Sequence, residues 1–211
     1  CFFALQFKLM SHKAGFVNII GHPNVGKSTL MNQLVGEKLS IITPKAQTTR
    51  HRILGIVNDE NYQIVYSDTP GIVDPAYKLQ EGMMKFVYTS LEDADVLVLM
   101  VEFGQTDLKN EKLELRLAEI ETSILLLINK VDQTDQEAME AAVQLWSGKF
   151  PKAEVFPISA LHGFNVDILQ NRVLKLLPES PAFYSKEDYT DKTERFIVEE
   201  KIREKVLLIY K

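Results

Sequence analysis

Cysteine is nearly absent from this chain, in which Cys1 is the single thiol among 211 residues. That excludes an intrachain disulfide and a cysteine-built zinc site, and it suits a reducing compartment, of which the cytoplasm is the simplest. Long apolar runs are absent as well, since no stretch approaches the ~20 residues that cross a bilayer as a helix. The apolar start "CFFALQFKL" has neither a basic leader nor a small-residue cleavage site, so it does not read as a signal sequence. Met10 reads as the natural start, and residues 1–13 as an N-terminal extension. Positive charge is not in surplus either. With 24 Lys and Arg against 29 Asp and Glu, the formal net charge is −5, so binding to nucleic acid or anionic lipid would need a local basic patch.

What remains is ordinary globular material, 45% hydrophobic and 25% charged, enough for one main domain and a small appendage. Short apolar runs at Phe16–Ile20, Asp95–Glu102, Ser123–Lys130 and Ala153–Ser159 fit buried parallel strands. Ile53–Val57 and Gln63–Ser67 flank "NDEN" and read as a hairpin. Helical candidates lie between, over Ser28–Val35, Leu79–Leu91, Leu108–Ile120, Gln136–Ser147 and Val166–Leu177. Strands alternating with helices predict an α/β fold, with a mostly parallel sheet covered on both faces and one antiparallel strand at the hairpin edge.

This domain spans residues 14–178, and Pro178 and Pro181 open a linker over 179–192. Within 193–211, Val198, Ile202, Val206 and Ile209 recur at helical spacing, which predicts an amphipathic helix whose apolar face needs a partner. The chain stops as that helix finishes, which suggests the start of a second domain. Residues 186–211 hold seven Lys and Arg and seven Asp and Glu, so most of these charges read as a solvated helix face rather than a nucleic-acid surface.

Four loops carry chemistry. "GHPNVGKSTL", between a strand and a helix, places Gly21, Asn24, Val25, Gly26, Lys27, Ser28 and Thr29 where backbone N–H groups can cradle phosphates. Lys27 would balance the β- and γ-phosphate charge, and the Ser28 hydroxyl can ligate Mg²⁺. "SDTPG" puts Asp68 at a strand's carboxyl end, fit to hold Mg²⁺ directly or through water, while Gly71 leaves its N–H for the γ-phosphate. Alone, Asp-Thr-Pro-Gly is also an ordinary β-turn. In "NKVD", Asp132 can accept two hydrogen bonds from guanine that adenine cannot offer, Asn129 would steady the base and Lys130 cover the ring. "ISA" brings Ser159 and the Ala160 N–H to the same edge, where the latter could reach the guanine O6. Arg50, His51 and Arg52 read as a solvated or RNA-facing patch, and Trp146 as core.

The ordered set GHPNVGKS, QTTRH, DTPG, NKVD and ISA resembles the sequence blocks of the translation-factor-like class of P-loop GTPases. More narrowly, "SIITPKAQTTRHRILGI" with "SDTPGI" resembles the Era family of bacterial ribosome-assembly GTPases, and "ERFIVEEKIREK" resembles the beginning of that family's RNA-binding KH domain. The resemblance implies a G domain truncated within the KH domain, and Mg²⁺-dependent hydrolysis of GTP to GDP and phosphate in a cytoplasmic monomer. It also implies coupling to 16S rRNA and the small ribosomal subunit. Leu39–Arg52 would be the first switch, with Thr49, or else Thr48, completing the metal shell beside Ser28 and Asp68. Lys27, Thr49 and Gly71 would then carry catalysis, with Asp68 to about Gln80 as the second switch. Asn24 corresponds to an asparagine that some relatives use to bind K⁺, although it can equally serve the loop alone. Ile72 stands where Ras-like proteins carry a water-orienting glutamine, so water must be held another way and intrinsic turnover is expected to be slow. Two rivals stay open: a related tRNA-modification or large-subunit assembly GTPase, and a signalling module in peripheral contact with the inner face of the membrane.

Overall fold

The computed structural model describes residues 12–45 and 48–210; residues 1–11 of the expected extension, Ala46 and Gln47 of the expected first switch, and Lys211 lie outside them. One sheet contains β1 (Lys13–Gly21), β2 (Ile53–Asn58), β3 (Tyr62–Asp68), β4 (Val96–Glu102), β5 (Ser123–Asn129) and β6 (Glu154–Pro157), in the order β2-β3-β1-β4-β5-β6. β2 runs antiparallel to β3 and every other pairing is parallel. The helices are α1 (Lys27–Val35), α2 (Lys78–Glu92), α3 (Glu111–Glu119), α4 (Gln136–Lys149), α5 (Val166–Leu176) and α6 (Glu194–Ile209).

The period of two along a strand decides how the sheet is sandwiched. In β4, Val96, Val98 and Met100 pack on one face with Leu30, Met31 and Leu34 of α1 and with Leu169 and Val173 of α5. Leu97, Leu99 and Val101 pack on the other with Met84 and Val87 of α2, Leu113 and Leu117 of α3, and Trp146 of α4. Both faces are covered, so β4 and β5 read as nearly continuous apolar runs. Their carboxyl ends share one edge of the sheet, and the order reverses at β1, the place where open α/β sheets bind ligands.

The stretch expected as a linker is an ordered strap along the hairpin edge. Ile56 N–H donates to Tyr189 O at 2.9 Å, Leu54 N–H to Asp191 Oδ1 at 3.1 Å, and Thr190 Oγ1 to Leu54 O at 2.6 Å. Buried Gln63 reaches out to it, donating to Tyr184 O and accepting from the Phe183 and Tyr184 N–H groups. Phe183 packs against Phe16 with ring centroids 5.1 Å apart.

Most charges of α6 are solvated as expected, with Glu194, Arg195, Glu199, Lys201 and Lys205 exposed, but two carboxylates turn inward. Glu200 and Glu204 are only 9% and 3% exposed, whereas Val198, Ile202, Val206 and Ile209 are 47–70% exposed. Glu204 finds partners in the loop between α1 and β2, at Lys38 and Ile42, and Glu200 pairs with Arg203, which reaches the same loop at Thr48 O. Among the described residues no helix is long and apolar enough to cross a membrane.

Candidate nucleotide site

The turn from β1 into α1 requires left-handed backbone at Asn24, φ 64°, and at Gly26, φ 104°. Gly26 caps α1 without a side-chain hydrogen bond, and the first turn of the helix holds no acidic residue. Its free N–H groups and the positive end of its dipole therefore face the concavity of the loop. A Cβ on Gly26 would lie 2.3 Å from Asn129 Nδ2. Lys27, 6% exposed, folds across the loop and donates from Nζ to Gly21 O at 3.0 Å and His22 O at 2.8 Å. Burial pushes its ammonium down to about 8, with Asp68 opposing the shift. A poorly solvated cation is thus held over a ring of donors.

Three oxygens converge beside it. Ser28 Oγ donates to Asp68 Oδ2 at 2.7 Å, and Thr49 Oγ1 lies 3.1 Å from Ser28 Oγ and 3.4 Å from Asp68 Oδ2. Asp68 is fully buried at the end of β3, and its Oδ1 has no hydrogen-bond partner among the described residues. Burial raises its carboxyl above the ordinary aspartate range, while Lys27 and the Ser28 and Thr49 hydroxyls pull the other way. A single carboxylate flanked by hydroxyls suits a hard cation that completes its shell with phosphate and water, as Mg²⁺ does. Thr48 is turned aside: its Oγ1 lies 2.6 Å from Thr43 Oγ1 and donates to Lys45 O at 2.7 Å. A cavity of about 410 Å³ opens here, walled by Lys27, Ser28 and Thr29 on one side and by Thr43, Thr49 and Gly71 on the other.

Gly71 meets the phosphate loop with no room for a side chain. A Cβ there would stand 2.6 Å from both the backbone N and the Cγ of Pro23, and the adjacent Ile72 N–H donates to Gly21 O at 3.0 Å. Gly71→Ala is expected to force the two loops apart, costing ~1–3 kcal/mol of stability and weakening a GTP analogue more than GDP. Thermal melts with paired nucleotide titrations would show it, and an unchanged ratio of the two affinities would contradict it.

On the base side, Asn129 acts as a cross-tie. Its Nδ2 donates to Val25 O at 2.7 Å and its Oδ1 accepts the Ala160 N–H at 2.9 Å, joining the phosphate loop to the loops after β5 and β6. The Ala160 N–H expected to meet a guanine is therefore already engaged by Asn129. Lys130 adopts left-handed backbone, φ 67°, and pairs with Glu102. Ser159 Oγ donates to Asp132 Oδ1 at 2.6 Å. That hydrogen bond holds the Asp132 carboxyl below the ordinary aspartate range against a smaller effect of burial. Asp132 Oδ2 has a His162 Nε2 at 3.9 Å, and the side chain is 28% exposed.

The model of the 50S ribosome-binding GTPase family matches residues 16–130. The chain is 43% identical over 199 residues to GTPase Era of Alkaliphilus metalliredigens, a match covering 94% of this chain and 68% of that relative. To GTPase Era of Carboxydothermus hydrogenoformans it is 45% identical over 200 residues, with 94% and 67% covered. The chain belongs to the Era family of GTPases. It spans about two thirds of these curated relatives. A crystal structure of Era with MgGDPNP and nucleotides 1506–1542 of 16S ribosomal RNA superposes with TM-score 0.90 at 37% identity, covering 95% of this chain and 68% of that one. An Aquifex aeolicus Era variant bound to GDP·AlF4⁻ gives TM-score 0.87 at 38% identity, covering 92% and 67%. As an Era-family GTPase the chain is a GTP-hydrolysing enzyme that binds GTP and GDP.

Two features of this Era-family site go beyond the sequence motifs. Ile72, 1% exposed, packs into the core with Ile20, Met84 and Val87, so its side chain anchors the segment after Gly71 and points away from solvent. Arg52, expected in a solvated patch, is instead drawn inward. Its Nε donates to Ser67 Oγ at 2.7 Å, its Nη2 to Asn18 Oδ1 at 2.9 Å, and it pairs with Asp93. Asn18 and Ser67 are fully buried, and a guanidinium satisfies both with one planar group. Polar residues at core positions of β1 and β3 were the available signal. Arg50 and His51 remain exposed.

Proposed function

We propose that the cavity between the phosphate loop and the first switch binds Mg²⁺ and GTP, and that hydrolysis to GDP and phosphate switches association with 16S rRNA during assembly of the small ribosomal subunit. The observation that carries the site assignment is the meeting of Ser28, Thr49 and buried Asp68 beside Lys27. Water attacks the γ-phosphorus, the bond to the β-phosphate oxygen breaks, and phosphate departs. Lys27 and the N–H groups of the Gly21–Ser28 turn bind and orient the phosphates. Ser28, Asp68 and Thr49 would hold the metal, which when bound offsets the charge on the β- and γ-oxygens. Asp132 accepts from guanine, with Asn129 steadying the loops around the base.

The RNA half rests on the relatives, one of which is solved with a 16S rRNA segment. The broader family name points instead to the 50S subunit. Sedimentation of the full-length protein with purified subunits separates these: retention on 30S in the GTP-analogue state is expected, and retention on 50S alone would overturn the assignment. Exposed Asn24 stands at the mouth of the cavity and donates from Nδ2 to Pro44 O at 3.1 Å. With its side-chain oxygen left to serve a cation, turnover is expected to rise several-fold when K⁺ replaces Na⁺ at constant ionic strength. Equal rates in the two salts would remove K⁺ from the reading.

A further inference from the structure

α6 lies outside the nucleotide-binding fold, yet its charged face grips the loop that carries Thr49. Glu204, 3% exposed, accepts the Ile42 N–H on Oε1 at 2.9 Å and Lys38 Nζ on Oε2 at 2.8 Å. Burial raises its carboxyl, but the bonds from Lys38 and Ile42 outweigh that and hold it below the ordinary glutamate range. The preceding residue, Arg203, donates from Nη2 to Thr48 O at 2.7 Å, the carbonyl of the peptide that leads into Thr49. Glu200, itself 9% exposed, fixes that guanidinium by accepting from Nε at 2.8 Å and Nη2 at 2.5 Å. Lys45 Nζ adds a bond to Tyr210 O at 2.6 Å. The same loop is tied on its other side by Asn24 to Pro44 O. Ile42, Thr43, Pro44, Thr48 and Thr49 line the cavity, so what fixes this loop fixes one wall of the site.

We propose that Glu204 and Arg203 are positioning residues for GTP, holding the first switch so that the Thr49 hydroxyl stands beside Ser28 and Asp68 before nucleotide arrives; this rests on the nucleotide site proposed above. The physical reason is preorganisation. A loop free to wander must be ordered when its threonine is used, and that entropy is charged against binding; a loop already held by buried hydrogen bonds costs less. Only a ligand that uses Thr49 benefits. GDP, lacking the γ-phosphate, gains little from the first switch and is indifferent to α6. The coupling is reciprocal, so a GTP analogue stabilises the docking of α6 and GDP does not.

The test is a pair of titrations, GDP and a non-hydrolysable GTP analogue with Mg²⁺, on wild type, Glu204→Gln, Arg203→Ala, Thr49→Ala and each α6 variant combined with Thr49→Ala. Glu204→Gln is expected to lose roughly tenfold in analogue affinity with GDP affinity unchanged within about twofold, and its kcat to fall. Arg203→Ala should do the same, and it leaves Glu204 and its bonds intact should the first variant fold poorly. In the Thr49→Ala background both α6 changes should have no further effect, because they act through that hydroxyl. Equal losses for both nucleotides would mean a merely structural role and overturn the proposal. So would unchanged affinities, or additive effects with Thr49→Ala. If wild type binds neither nucleotide, the site reading falls and the proposal with it, an outcome distinct from failure in the variants alone.

Discussion

Asp132→Ala is expected to weaken GDP by roughly two to four orders of magnitude and to erase the preference for GDP over ADP. Two guanine donors lose a charged acceptor, whereas adenine had none to lose. The effect depends on Asp132 being ionised and aimed, and Ser159 serves both ends through its 2.6 Å bond to Oδ1. That bond leaves Oδ2 as the freer oxygen and keeps the carboxyl acidic. Calorimetric titration of GDP and ADP into wild type and variant decides the matter. A variant that still prefers GDP would place base selection elsewhere in the site.

Lys27→Ala carries the second large effect, a fall of at least about a hundredfold in GTP-analogue affinity and more in turnover. Lys27 is the cation over the cavity, and its replacement removes a charge-assisted donor to the phosphates. The same change leaves buried Asp68 without the cation that opposes the effect of its burial, so the carboxyl rises further toward its neutral form and becomes a poorer metal ligand. Both losses act in the same direction. Lys27→Arg should not restore turnover, since a planar fork cannot replace a point charge that donates to Gly21 O and His22 O from one nitrogen. Single-turnover hydrolysis at saturating Mg²⁺ is the measurement, and near-normal rates for either variant would refute this role.

The sheet and its motifs were legible because their signals are local. β4 and β5 are unbroken apolar runs, and the turn from Gly21 to Ser28 needs its residue types for backbone reasons alone. Tertiary partnerships left no such trace. Thr48 and Thr49 are adjacent and chemically alike, and only the approach of Ser28 and Asp68 separates them. The role of Glu204 was hidden because helical periodicity marks the apolar face for burial, whereas here buried hydrogen bonds to a loop backbone draw in the charged one. Arg52 followed the same rule, its solvated appearance being overridden by Asn18 and Ser67 in the core. The strap carries no sequence signal because its bonds run through backbone and through Gln63, and neither has a period.

The strap also bears on how the protein behaves in a crowded solution. β2 is the terminal strand of the sheet, and an unpaired terminal strand offers its N–H and C=O groups as a template on which another chain can build. Tyr189, Thr190 and Asp191 occupy those groups on Leu54 and Ile56. The stretch that leads toward α6 therefore doubles as a guard against edge-to-edge aggregation, and domain boundaries drawn at the end of α5 would produce a sticky protein even with every nucleotide-binding residue in place.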